Sequence, residues 1–239
     1  MSVLYVVRHG QASFFTDNYD RLSPKGVEQS RLLGKYWVEN RVEIDEVYSG
    51  SLARQLQTAE AVGEIFCQAA KPWPNVQVLS GLDEYGGDYL MKDLRAELVQ
   101  KHDHVRRLSE EFERATEERQ RYRTFHRLLE ALMRFYISGE YESDGFETWR
   151  QFHDRVTGAF AHIRSREGRG RQVAVFTSGG PVGVSVQTTL EAPEQQAGEL
   201  NWRVYNASLT VFTFRANRIS LDQFNSIAHL TTDELRTYR

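Results

Sequence analysis

Short runs of consecutive apolar residues punctuate this chain. Val3–Val7, Val173–Thr177 and Ser208–Phe214 are the clearest, and Glu46–Ser49, Val76–Leu79 and Ile219–Phe224 are weaker examples. Unbroken runs, unlike alternation, suit strands covered on both faces within a mostly parallel sheet. Between them apolar residues return at helical spacing. Leu33, Tyr36 and Trp37 make one stripe, preceded by Ser23-Pro24 as an N-cap and a proline in the first turn. Leu52, Leu56, Ala59 and Phe66 make a second, and Trp149, Phe152, Val156, Phe160 and Ile163 a third. Strands alternating with helices predict an α/β fold: a three-layer sandwich with a mostly parallel central sheet flanked by helices.

The stretch from about Asp88 to Gly145 breaks this rhythm. It is helix-prone and densely charged, with no convincing strand. Its central part, Lys101 to Glu130, holds eight Lys or Arg against seven Asp or Glu, so its charges nearly cancel. Two readings fit together: a solvated helical face laced with surface ion pairs, and a helical cap inserted over a substrate pocket. No repeat or Pro/Ser-rich linker separates it. The expectation is one domain over residues 1–239 carrying a helical cap insertion at 88–145.

Composition narrows the picture. At 239 residues with 40% hydrophobic and 12% aromatic content, the chain can bury a core, which excludes wholesale disorder. A net charge of −3 gives no reason to expect nucleic acid or an anionic membrane as the main partner. Cys67 is the only cysteine, so no internal disulfide forms and a reducing compartment is favoured. The apolar stretch Val3–Val7 ends at Arg8, too short to span a bilayer or serve as a leader. The expectation is a soluble, cytoplasmic protein.

Four segments carry candidate chemistry. Arg8-His9-Gly10 follows directly on the first apolar run, and in open α/β sheets ligands bind beyond the carboxyl ends of strands. There a histidine can present a ring nitrogen to a bound group, glycine lets the backbone come close, and arginine offers a donor fork matched to phosphate oxygens. Ser49 to Ala59 reads as strand, turn and helix, with Arg54 in the first helical turn, where free N–H groups already favour an anion; taken alone, Arg54 reads first as a surface arginine. Glu84, in Leu82-Asp83-Glu84-Tyr85-Gly86-Gly87, is either an ordinary turn carboxylate or a proton donor. Val173 to Thr177 runs into Ser178-Gly179-Gly180, where hydroxyl and backbone donors can face an anion. His102 and His104 lack the cysteines or carboxylates that would complete a metal site, and no metal or cofactor is expected.

Taken in order, these segments resemble the histidine phosphatase superfamily, the phosphoglycerate mutase-like fold. Asp20 to Gly26 with Gln29, Asn206-Ala207-Ser208, and Phe224 to Leu230 also look like blocks of that family. The resemblance implies a metal-independent hydrolysis of phosphate monoesters, with a small phosphorylated substrate. It implies His9 as the nucleophile that takes the phosphoryl group, Glu84 as the proton donor, and Arg8 and Arg54 as phosphate ligands. Gln11 and Ser13, which follow the signature, read either as substrate contacts or as exposed loop residues. One position departs from the family pattern. Ser178 stands where the family has a second histidine, and a hydroxyl donates one hydrogen bond but cannot become cationic. Losing a strong donor aimed at the transition state costs on the order of 10²–10³ in rate. A weakly active or non-catalytic phospholigand binder and a phosphomutase therefore stand as the alternatives.

Overall fold

The computed structural model describes residues 1–13, 20–141, 145–215 and 218–238. The chain divides into two compact units, Met1–Glu84 with Arg155–Arg239, and Tyr85–Asp154. In chain order the elements are β1 (Ser2–Arg8), α1 (Pro24–Glu39), β2 (Glu46–Ser49), α2 (Ala53–Gln68) and β3 (Val76–Val78). There follow α3 (Arg95–Lys101), α4 (Asp103–Arg114), α5 (Glu118–Ser138) and α6 (Trp149–Ser165). The chain closes with β4 (Gln172–Thr177), α7 (Gly179–Thr189), α8 (Gln195–Arg203), β5 (Leu209–Arg215) and β6 (Arg218–Ser226).

All six strands of the first unit form one sheet in the order β3-β2-β4-β1-β5-β6. The pairs β3–β2, β2–β4 and β4–β1 are parallel, whereas β1–β5 and β5–β6 are antiparallel. The mostly parallel α/β sheet expected from the apolar runs is thus present, with an antiparallel hairpin at one side. Strand pleating sends alternate residues to opposite faces. Val7, Val47, Ala174, Phe176 and Leu209 share one face, packed with Leu33 and Trp37 of α1 and Val62 and Phe66 of α2. Trp37 makes edge contacts with Phe66 and Phe176 at 6.5 and 6.3 Å between ring centres. Leu4, Val6, Val173, Val175 and Phe212 project the other way and are equally buried, with α7 contacting β1 and β6.

Two features of the sheet place the chemistry. The register sets Arg8 opposite Thr177 and Ser49 opposite Phe176, so β1, β2 and β4 end side by side. The residues that follow, His9, Gly50 and Ser178, therefore leave the sheet at the same edge. Secondly, the loop after β1 packs backbone to backbone on α1. Ser23 caps α1 by accepting from the Gly26 N–H at 3.1 Å. A Cβ on Gly10 would lie 2.4 Å from the Gly26 carbonyl oxygen, and one on Gly26 only 2.1 Å from that of Gln11. Neither side of this contact tolerates a side chain.

The second unit is helical and contains most of the charged stretch. A π-helical turn, Leu90–Leu94, leads into α3. Its core is built from Leu90, Leu94, Leu98, Val105, Leu108, Leu128, Leu132 and Met133, with an aromatic cluster of Tyr85, Tyr136, Trp149 and Phe152. The expected ion pairs are there: Lys101–Glu97, Arg127–Glu111 and Arg134–Glu130 at 2.7, 2.6 and 2.9 Å, together with Arg106–Asp103. Each is solvent-exposed, so each contributes roughly 0–1 kcal/mol. His102 packs on Phe135 and hydrogen-bonds the Tyr141 hydroxyl at 2.8 Å. No described helix is long and apolar enough to cross a membrane.

Candidate active site

His9 is fixed first through its backbone. Its N–H donates to the Thr177 carbonyl at 2.8 Å, extending the β1–β4 ladder by one residue. Its carbonyl accepts from the Ala207 N–H at 3.1 Å and from the Asn206 Nδ2 at 3.3 Å. The ring is then set by two further contacts. Nδ1 lies 2.7 Å from the Gly10 carbonyl oxygen. A carbonyl can only accept, so Nδ1 carries the proton and Nε2 keeps its lone pair. Arg54 Nε donates towards that lone pair at 3.2 Å. The neutral tautomer, with the Nε2 lone pair facing a guanidinium, follows from these two bonds.

Arg54 is itself held on three sides. Nη1 pairs with Asp20 at 2.7 Å, and Asp20 also accepts from the N–H groups of Ala53 and Arg54 at 2.9 and 3.4 Å, closing the exposed first turn of α2. Thr58, one helical turn on, accepts from the Gly10 N–H at 3.0 Å and donates back to the Arg54 carbonyl at 2.7 Å. This hydroxyl fastens the signature turn to α2. Arg8 is 6% exposed, and its Nη1 donates to the Val204 carbonyl.

Ser178 joins the same cluster through Gln55, the residue after Arg54, and Glu84 joins it through the helix that follows Ser178. Gln55 Nε2 donates to the Ser178 hydroxyl at 2.8 Å and to the Leu82 carbonyl at 3.2 Å. Ser178 is fully buried at the start of α7, and the Glu84 carboxylate accepts from the Gly180 N–H in the first turn of that helix at 3.1 Å. Arg155 clamps the loop that carries Glu84, donating to the carbonyls of Asp83 and Glu84 at 2.7 and 3.2 Å. His9, Arg54, Ser178 and Glu84 are thus linked through one side-chain and backbone network, with Arg8 adjoining His9 in sequence. Gln11 and Ser13 engage the neighbouring loop: Gln11 accepts from the Ser23 hydroxyl at 3.0 Å, and the Ser13 N–H donates to the Arg21 carbonyl at 2.8 Å.

Five groups in this network stand outside the set of site residues that sequence reasoning singled out: Asp20, Gln55, Thr58, Arg155 and Asn206. For Thr58 a signal exists, because it lies four residues after Arg54 and so shares its helical face. Asp20 and Asn206 lie within recognised blocks, but nothing in sequence assigns them a contact. Arg155 reads simply as a polar position on an amphipathic helix.

The chain matches the histidine phosphatase superfamily (branch 1) over residues 4–137 and 100–227. It belongs to this superfamily. No curated protein matches the chain significantly. Among solved structures, Bacillus stearothermophilus YhfR is 19% identical with a TM-score of 0.66, covering 96% of this chain and 100% of its own. Phosphoserine phosphatase from Entamoeba histolytica, solved with 3-phosphoglyceric acid, is 18% identical with a TM-score of 0.60, covering 96% and 100%. A mycobacterial glucosyl-3-phosphoglycerate phosphatase, solved with inorganic phosphate, is 19% identical with a TM-score of 0.63, covering 96% and 99%. At these identities the likeness establishes the histidine phosphatase fold across nearly the whole chain.

Proposed function

We propose that this histidine phosphatase superfamily member hydrolyses phosphate monoesters through a phosphohistidine on His9. The observation that carries the reading is the pair of bonds on the His9 ring, Nδ1 to the Gly10 carbonyl at 2.7 Å and Nε2 to Arg54 at 3.2 Å. In the first step the Nε2 lone pair attacks phosphorus and the ester P–O bond breaks. Glu84 gives its proton to the leaving oxygen. The phosphorylated ring keeps the Nδ1 proton, and the Gly10 carbonyl stabilises the positive charge that develops there. Water then attacks phosphorus, Glu84 takes back a proton, and the P–N bond breaks to return neutral His9.

Arg8 and Arg54 supply the positive charge that orients a tetrahedral dianion, so metal is not required in this scheme. At 4% exposure His9 lies in a nearly dry setting, in which such charges act more strongly than in water. The Ser178 hydroxyl uses a lone pair for Gln55 and retains its proton to donate to a phosphoryl oxygen. It replaces a cationic donor with a neutral one, and the turnover expected is correspondingly slow. The phosphatase names of the solved relatives agree with hydrolysis as the outcome.

Ser178 also motivates a second reading, a protein that binds phosphorylated ligands without turning them over. One experiment separates the two. Rapid acid-free quenching with a labelled chromogenic phosphate ester is expected to show a phosphoryl adduct on His9, absent in His9→Ala, with stoichiometric release of phosphate. Saturable phosphate binding with neither adduct nor release would establish the binder. Turnover unchanged in His9→Ala would refute the mechanism.

A further inference from the structure

The carbonyl of His9 rests on Asn206, and Asn206 is in turn held at both ends by one residue distant in sequence. The Asn206 N–H donates to the Thr237 carbonyl at 2.8 Å, and the Thr237 hydroxyl donates to Asn206 Oδ1 at 3.0 Å. That hydroxyl accepts from Gln29 Nε2 at 2.9 Å, and Gln29 Nε2 also reaches the Leu235 carbonyl at 2.7 Å. Gln29 Oε1 accepts from the Gln11 N–H at 2.8 Å. A continuous donor–acceptor path therefore leaves the signature loop at Gln11, passes through Gln29, Thr237 and Asn206, and returns to it at His9.

We infer that Thr237 is a positioning residue for His9, acting by bracing two buried amides against each other; this rests on His9 being the nucleophile. Gln29 and Asn206 are both 0% exposed, so a partner lost at either amide is costly. An amide has a donor end and an acceptor end, and either can face a given neighbour unless a partner decides. The backbone groups of Leu235, Gln11 and His9 set which end faces which way, and the Thr237 hydroxyl joins the two amides so oriented. By accepting from Gln29 and donating to Asn206 Oδ1 it braces Asn206 against Gln29, which keeps Nδ2 on the His9 carbonyl. Without the hydroxyl, Asn206 Oδ1 loses its donor, the hold of Nδ2 on the His9 carbonyl loosens, and the turn carrying the ring shifts. In-line attack on phosphorus is sensitive to displacements of this kind, whereas phosphate binding by the arginines is not. The loss belongs in kcat and leaves KM unchanged.

The test is Thr237→Val, which keeps the shape and removes the hydroxyl, beside Thr237→Ser, which restores it. Thr237→Val is expected to lower kcat about tenfold, the equivalent of about one hydrogen bond. KM should stay within twofold, and Thr237→Ser should return kcat to within twofold of wild type. A wild-type kcat in Thr237→Val overturns the inference, as does an equal loss in both variants or a loss confined to KM. Should Thr237→Val fail to fold, Thr237→Cys, with a weaker donor of similar size, is expected to show a severalfold loss in kcat, and no loss overturns the inference. A second readout separates this from the phosphatase reading. If the wild-type enzyme turns over no ester, that reading fails, and ring-nitrogen NMR of His9 decides on Thr237. Resonances displaced in Thr237→Val and restored in Thr237→Ser support it, and identical spectra overturn it.

Discussion

A buried imidazole without a charge partner behaves very differently from one beside a guanidinium. His229 is 7% exposed, packs beside the Tyr36 ring, and hydrogen-bonds the Ala207 carbonyl, while its Nε2 has no hydrogen-bond partner among the described residues. Burial pushes its pKa down to about 4, against the weaker opposing pull of the Ala207 bond. The protein therefore folds around a neutral ring. Above the unfolded value near 6.5 both states are uncharged and nothing is lost. As pH falls from there towards 4, the unfolded chain takes up a proton that the folded one refuses, and stability declines by up to about 3 kcal/mol. Urea unfolding at pH 7.5 and 4.5 should show a smaller acid loss in His229→Leu than in wild type. Equal losses would mean that other groups carry the acid sensitivity.

Among elements, the contact between the signature turn and the start of α1 leaves the least freedom. Gly26→Ala places a methyl 2.1 Å from the Gln11 carbonyl oxygen, and backbone on both sides prevents an easy escape. Overpacking of this kind costs roughly 1–3 kcal/mol. The variant should melt at lower temperature and, because Gln11 moves, should also lose activity; an unchanged melting point would show that the loop can yield. The elements themselves were unevenly legible. Each of the six strands lies where the sequence predicts one: plainly for β1, β4 and β5, whose apolar runs are largely buried, and more faintly for β3 and β6, which have no buried residue. The helices α7 and α8 escaped detection. Gly179-Gly180-Pro181 reads as a turn, and Val182, Val184, Val186, Thr188 and Thr189 favour strands by intrinsic preference. Proline is harmless in a first helical turn, and α7 is buried from Gly179 to Gln187, so packing overrides propensity there. In the site, His9, Arg54 and Glu84 announce themselves by their place after strands. The residues that hold them do not, since Gln55, Arg155 and Thr237 act through bonds that only the folded chain brings together.

For the molecule as a whole, any anion that binds only the folded site stabilises everything coupled to it. At a hundred times its dissociation constant, inorganic phosphate should add about 2.7 kcal/mol. For a chain of this size that corresponds to a rise of roughly 5–10 °C in melting temperature. The rise should disappear in Arg54→Ala, which removes a guanidinium in contact with the His9 ring. A rise that survives this substitution would place phosphate elsewhere on the protein.

The position of β1 has a bearing on how such a chain reaches its native state. This strand lies between β4 and β5, so Val7 is matched with Phe176 on one side and Leu209 on the other. During synthesis an almost wholly apolar segment must wait through more than half the polypeptide before either neighbour exists. Contacts so remote in sequence close slowly. His9, at the tip of that strand, is thus made well before the strands that hold it and reaches its final place only after they arrive, with chaperones the natural guardians of the interval.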